Sequence, residues 1–313
     1  MKVFNGFKDV PPFPRGAVVA VGNFDGIHLG HRKILERVLE LAAKKELFAL
    51  VLTFFPHPAR SLNKRDVPLI QTLGQRLEGL REAGVKGVVV VPFGRGVRRL
   101  SGRAFAGRVL KDRFQAGEVV VGENFRFGKD RRCGVAELAR LGREFSFDVH
   151  GVPPVEKAGE IVSSSLIRHW LAKGNVEKAA ELLGRPYEIE GCVVTGESRG
   201  RVLGFPTANI HTTNENIPRG IFVTLAVTAS KSLPSVTNVG IGPTFGGSRL
   251  AVETHVLDHK GNLYGRTVKL RFLKKLRNER KFGTSEALIA QIGRDVAEAR
   301  RYFREKASIG TIS

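Results

Sequence analysis

The chain has 313 residues, 42% hydrophobic and 26% charged, with 36 glycines and 14 prolines; this excludes one ordinary core and excludes a disordered or low-complexity protein, and suits two domains. No apolar run approaches the ~20 residues that cross a bilayer, and the opening "MKVFNGFKDVPPFPRG" lacks the apolar stretch of a secretory signal, while two distant cysteines, Cys133 and Cys192, exclude a disulfide framework or a cysteine zinc site and fit a reducing cytoplasm. The formal net charge of +21 could draw nucleic acid, an acidic membrane surface or small anions, and names none of them.

In chain order, "AVVAV" (17–21) reads as a buried strand, followed by the glycine-punctuated turn "GNFDGIHLGH" (22–31). Ile34, Leu35, Val38, Leu39 and Ala42 then recur at spacings of three and four, a helical period. Next come the strand "LFALVLTFF" (47–55), a helix around "LGQRLEGLREAG", the strand "GVVVVPF" (87–93), a helix over 102–115 and the strand "EVVVG" (118–122). This alternation predicts an α/β domain, a Rossmann-like parallel sheet with helices on both faces, whose ligands bind beyond the carboxyl ends of the strands. The basic cluster "KDRR" (129–132) reads as a solvated face, and 164–184 as two short helices broken at Gly174.

At Tyr187 the pattern changes. "YEIEGCVVTG", "IFVTLAVTA", "SVTNVGIG", "AVETHVLD" and "RTVKLRF" are short β-rich runs, the last alternating Val268, Leu270 and Phe272 with Lys269 and Arg271. A period of two predicts an antiparallel β-barrel. "RFLKKLRNERK" (271–281) reads as a second solvated basic face, and Leu288, Ile292 and Val296 mark a closing helix. The domains are expected at 1–184 and 185–313, with no long linker.

Two histidines three apart in a strand-to-helix turn could be a metal pair, an acid and base, a phosphate grip, or a polar first helical turn. A catalytic zinc usually needs three protein ligands, and the only extra candidate nearby is His57 in "TFFPHP". Gly22, Gly26 and Gly30 permit a tight turn whose backbone N–H groups can approach an anion, together with Asn23, Phe24 and Asp25, and the helix beginning there points its positive end at the same place. That combination favours the grip.

"GNFDGIHLGH" resembles the H-x-G-H signature of nucleotidyltransferases. "TFFPHP", "VGENFRFG" and "SSSLIR" follow in the order found in the adenylyltransferase module of bacterial bifunctional riboflavin kinase/FAD synthetases, and the likeness continues through "LLGRPY" and "GRVLGFPTANI" to "RDVAEAR". The resemblance implies a cytoplasmic two-module enzyme of FAD biosynthesis, with riboflavin, FMN and ATP as small-molecule partners and Mg²⁺ as cofactor. It implies that His28 and His31 contact ATP phosphates and stabilise the transition state, that Asn124 holds nucleotide or flavin phosphate, and that Arg168, beside Ser164 in "SSSLIR", meets phosphate charge. The attacking phosphate of FMN has a second pKa of about 6, so no carboxylate is needed to deprotonate it.

In the second half, Gly196, Gly200 and Gly204 permit a loop close to phosphates, and Arg199 and Arg201 add charge. A glycine-rich loop between strands is equally a long hairpin. "PTAN" resembles the riboflavin kinase signature, which implies that Thr207 and Asn209 bind Mg²⁺ and ATP phosphates; hydroxyl and amide oxygens are hard ligands that suit magnesium. Riboflavin presents a neutral alcohol, whose phosphorylation is helped by a base, and the resemblance assigns that role to Glu253 in "PTFGGSRLAVETH". "SSS" replaces the family's common "SST", "GIF" replaces "GVY", and "VTGESRG" replaces "VHGDSRG"; none removes a residue assigned to catalysis. A flavin- or nucleic-acid-binding regulator on the same scaffold is the competing class. No recognition-helix or stacking motif supports it, so nucleic acid is not an expected partner, and no oligomeric state follows from the sequence.

Overall fold

The run "AVVAV" is buried at all five positions, because both of its faces are covered. In the computed structural model, which describes residues 1–61, 67–196, 200, 203–244, 247–259 and 261–308, Val19 and Val21 join one apolar cluster with Leu50, Leu52, Val119 and Val121. Val18 and Ala20 join the other, with Val51, Val88, Val90 and Val120. Such double burial makes parallel strands read as continuous apolar runs, and each fully buried Val or Leu contributes about 1.5–3 kcal/mol.

The sheet has six parallel strands, β1 (Lys2–Asn5), β2 (Ala17–Val21), β3 (Phe48–Phe54), β4 (Gly87–Val91), β5 (Ala116–Gly122) and β6 (Asp148–Val152), ordered β1-β4-β3-β2-β5-β6. Leu35, Val38 and Leu41 of the helix Leu29–Lys45 and Leu80 of the helix Leu73–Glu82 cover one face. Phe105, Val109 and Leu110, with Leu138 and Leu141 of the helix Val135–Phe145, cover the other. The expected doubly wound architecture is present, and β1, β6 and the helix 135–145 are additions to it. Residues Phe105–Arg113, inside the expected helix 102–115, are wound as a π-helix. A small hairpin, β7 (Glu156–Lys157) and β8 (Glu160–Ile161), follows.

Glu118 of β5 is buried and takes hydrogen bonds from Lys45 and from His150 Nε2, the latter at 2.5 Å. Burial pushes its carboxyl up, but the two partners outweigh it and hold it below the usual glutamate range. A carboxyl depressed in the folded state stabilises above its unfolded pKa of about 4.3 and ceases to as pH falls through its lower folded value. Glu118→Gln is therefore expected to lower stability at neutral pH and to flatten the acid limb of a stability–pH curve measured by urea melts.

The chain divides into compact units Met1–Ser164 and Ser165–Ser313. The helices Ser164–Ala172 and Val176–Leu183 end and begin beside Gly174, as the glycine break predicts. In the second unit Glu177 accepts a hydrogen bond from the Lys275 backbone at 3.0 Å, which ties the second of these helices to the barrel wall.

That wall is a closed antiparallel barrel of β9 (Tyr187–Val194), β10 (Ala208–Thr212), β11 (Gly220–Val227), β12 (Ser232–Thr244), β13 (Gly247–Val256) and β14 (Thr267–Arg277), in the order β10-β13-β12-β11-β14-β9. Phe222, Phe272, Leu270 and Val239 are completely buried, with Thr224, Ser235, Thr237 and Thr254 forming a chain of hydroxyl hydrogen bonds among them. On the alternate face, Ile221, Val223, Leu225 and Val236 pack against Ala299 and Phe303 of the closing helix Ser285–Ser308. That helix is fixed to β14 where Asp295 receives the Arg277 guanidinium at 2.7–3.1 Å.

Candidate active sites

The β2 loop lies where the sheet's strand order reverses: the chain proceeds from β2 to β3 on one side, and β5 flanks β2 on the other. Phe24, Gly26 and Ile27 all have left-handed backbone (φ 51°, 93° and 41°), an uncommon state for a β-branched isoleucine that the surroundings must impose. Those surroundings are visible. Thr53 donates to the Asn23 carbonyl at 3.0 Å, Ser164 to the Asp25 carbonyl at 2.8 Å, and Gly26 N–H to Gln71 Oε1 at 3.1 Å.

Asp25 and Phe24 turn inward. The Asp25 carboxylate accepts from the backbone N–H groups of Ile70 and Gln71 at 3.1–3.2 Å, and Arg76, wholly buried, stands 3.8 Å away while donating to the Phe54 carbonyl. What these two positions can offer a phosphate is therefore backbone. Asp25 and Arg76 instead act as the loop's internal frame, and removing one member of a buried pair costs about 3–5 kcal/mol because the other is left uncompensated. Arg76→Met is expected to lower stability in urea denaturation by about that amount.

The frame presents two imidazoles. His28 is the N-cap of the helix Leu29–Lys45: its Nδ1 accepts the His31 backbone N–H at 3.3 Å, and the two rings stack with centroids 3.7 Å apart. Because Nδ1 is an acceptor, the neutral ring carries its proton on Nε2 and can donate from there. His28 is 6% exposed and His31 half-buried, with Phe24 on its other side at 5.1 Å. Gly30 lies against the His28 ring, where an added Cβ would come within 3.2 Å, and Gly22 lies against Phe24. Asn23 contacts His57 Nε2 at 3.2 Å. Asn124, exposed beyond β5, lies beside Gly122, whose backbone also approaches Ile34 of the histidine helix. Arg168 is half-buried on the helix that starts at Ser164, within the second unit.

In the barrel, Gly196 and Gly200 are packed on residues of "PTAN". A Cβ on Gly196 would overlap the Asn209 amide, and one on Gly200 would come within 3.0 Å of the Thr207 hydroxyl. Phe205 N–H donates to the Gly200 carbonyl at 2.8 Å, closing the loop, and Gly204 supplies the left-handed turn between them (φ 83°). Arg199, like Arg201, lies outside the described residues. Asn209 of β10 stands directly opposite Glu253 of β13, so Thr207, Asn209 and Glu253 bring a hydroxyl, an amide and a carboxylate to one side of the barrel. No group of three or more His, Cys, Asp or Glu suited to a metal occurs among the described residues.

Sequence reasoning missed the supports, Arg76, Gln71 and Thr53, and it missed Asn238, opposite Glu253 on β12. A doubly wound unit with paired histidines at its switch point, followed by a barrel with a hydroxyl–amide–carboxylate set, defines a two-module group-transfer enzyme acting on phosphates. The sequence matches the FAD synthetase family over residues 10–166 and the riboflavin kinase family over residues 183–303. It is 36% identical to the bifunctional riboflavin kinase/FMN adenylyltransferase of Escherichia coli (strain K12), over 97% of this chain and 98% of that one. It is 35% identical to the protein of the same description from Bacillus subtilis (strain 168), over 92% of each. The chain belongs to the bifunctional riboflavin kinase/FMN adenylyltransferase family. Its fold also matches a crystal structure of a macrolide-efflux protein from Streptococcus pneumoniae, with a TM-score of 0.88, 29% identity, and 96% of this chain and 99% of that one covered. Among the described residues of the present chain no helix is long and apolar enough to cross a membrane.

Proposed function

We propose that the chain makes FAD in two steps: the barrel module transfers the γ-phosphoryl group of ATP to riboflavin, giving FMN and ADP, and the sheet module transfers AMP from a second ATP to FMN, giving FAD and pyrophosphate. The observation that carries this is the family match along both halves of one chain. We place the functional border at 184/185, just ahead of the first barrel strand.

In the sheet module the nucleophile arrives ionised, and what it needs is a place to bring two negative groups together. The β2 loop and its N–H groups seat the ATP phosphates. His28, donating from Nε2, and His31 stabilise the charge that develops during in-line displacement. Asn124 steadies the phosphates and Arg168 meets their charge, while Ser164, whose hydroxyl is given to the Asp25 carbonyl, offers them its backbone N–H.

In the barrel module Glu253 accepts the proton of riboflavin's primary alcohol as that oxygen attacks phosphorus. Thr207 and Asn209, the one packed on Gly200 and the other on Gly196, hold the ATP phosphates and would hold Mg²⁺, for which a hydroxyl and an amide oxygen are suitable hard ligands. A magnesium ion held there would supply positive charge to offset that on the transferred group. A reducing cytoplasm suits the two free thiols, Cys133 and Cys192.

The test is incubation with riboflavin, ATP and Mg²⁺ and separation of the flavins. FMN followed by FAD is the expected course. Accumulation of FMN alone overturns the adenylyl-transfer assignment, and absence of both overturns the whole reading.

A further inference from the structure

Glu253 has a residue on each side. Across the two ladders of β13 it stands opposite Asn209 of β10 and opposite Asn238 of β12, and directly opposed residues of antiparallel strands carry Cβ atoms about 4.5–5.5 Å apart. Asn209, Glu253 and Asn238 therefore form a row across three strands. The row lies on the outside of the barrel, since Thr237 and Val239, which flank Asn238, are wholly buried in the interior. Two positions further along this face, a Cβ on Gly240 would overlap the Glu279 carboxylate, which closes that end of the row.

Asn238 Oδ1 is buried and accepts no hydrogen bond among the described residues. A buried amide oxygen left without a donor is destabilising, and such unsatisfied groups in native proteins ask for an explanation. The oxygen is an acceptor, so the partner it lacks is a donor. ATP phosphates bring acceptors only. Riboflavin brings, next to the alcohol that is phosphorylated, a chain of further hydroxyl groups.

We infer that Asn238 binds the hydroxylated side chain of riboflavin, its Oδ1 accepting a hydrogen bond from a hydroxyl neighbouring the primary alcohol and so holding that alcohol beside Glu253. The inference rests on Glu253 being the base. It makes Asn238 a determinant of specificity for flavins that carry a polyol, and a division of labour follows along the row: Asn209 faces the phosphates, Glu253 the proton and Asn238 the polyol.

The full-length protein, Asn238→Leu and Asn238→Ser are compared in FMN formation, measuring KM for riboflavin, KM for ATP, and the inhibition constant of lumiflavin, which has the same ring system and no polyol. Loss of one hydrogen bond worth about 0.5–1.5 kcal/mol corresponds to a roughly 2- to 12-fold rise in KM for riboflavin in Asn238→Leu. Lumiflavin inhibition and KM for ATP are expected to stay unchanged, and Asn238→Ser, which keeps an oxygen, is expected to recover part of the loss. An unchanged KM for riboflavin overturns the inference. So does an equal loss for both flavins, which means a damaged barrel wall, or a shift in KM for ATP in place of riboflavin. Glu253→Gln is measured alongside: undiminished FMN formation in that variant removes the base assignment, whereas the contrast between riboflavin and lumiflavin judges Asn238 separately.

Discussion

Replacing His28 by alanine is expected to reduce FAD formation by about 10²–10³-fold, the usual effect of removing one donor from a developing negative charge, while FMN formation from riboflavin is unchanged. The structure gives His28 two tasks that alanine removes together. Its Nδ1 caps the helix Leu29–Lys45, worth about 1 kcal/mol, and its Nε2–H is the group proposed to donate to a phosphate oxygen. His28→Asn separates them. Asparagine is among the best N-caps, so this variant is expected to keep the melting temperature of the native protein and still lose FAD formation to nearly the same extent. Equal FAD formation in His28→Asn and the native protein would show that the position serves the helix and not the reaction. Thermal melts together with separation of flavin products on one set of samples decide it.

The parallel sheet was legible wherever a strand is buried on both faces, because "AVVAV", "LFALVLTFF" and "GVVVVPF" are then apolar almost throughout, Thr53 being the one polar residue in them. It was illegible at the sheet's two edges. β1 is four residues long with one buried side chain, and β6, "DVHGV", buries only Val152, so neither carries a run or an alternation. β10 was hidden for a related reason: of "ANIHT" only Ile210 is buried, and a proline precedes the strand. The helix Val135–Phe145 had a signal, since Val135, Leu138 and Leu141 recur at three, but a glycine N-cap with no side-chain hydrogen bond gives no start mark.

The candidate sites were legible as motifs, because glycines and histidines at fixed spacing are local. Their supports were not, because Asp25 and Arg76 are 51 residues apart and meet only once β2, β3 and the helix Leu73–Glu82 are assembled. An arginine in "LGQRLEGLREAG" looks like any exposed helix arginine until the fold buries it completely. Asn238 was hidden in the same way: only strand register sets it opposite Glu253, fifteen residues on. Cross-strand rows therefore reveal partners that one-dimensional spacing conceals.

Register is also what makes the second large effect testable. Glu253→Gln keeps the size and shape of the side chain and removes only its capacity to take a proton. An outward strand carboxylate with no role in the reaction would tolerate that change to within ~0.5 kcal/mol and with no loss of rate. A general base contributes about 10²–10⁴-fold, so FMN formation is expected to fall by that range in Glu253→Gln while FAD formation from supplied FMN continues at the native rate. Glu253→Asp sharpens the distinction. Aspartate keeps the basic group but withdraws it by one methylene from the row shared with Asn209 and Asn238, so its rate is expected to lie between those of the native protein and Glu253→Gln. If aspartate and glutamine are equally and fully active, Glu253 is a surface residue, and the proton leaves riboflavin's alcohol by another route.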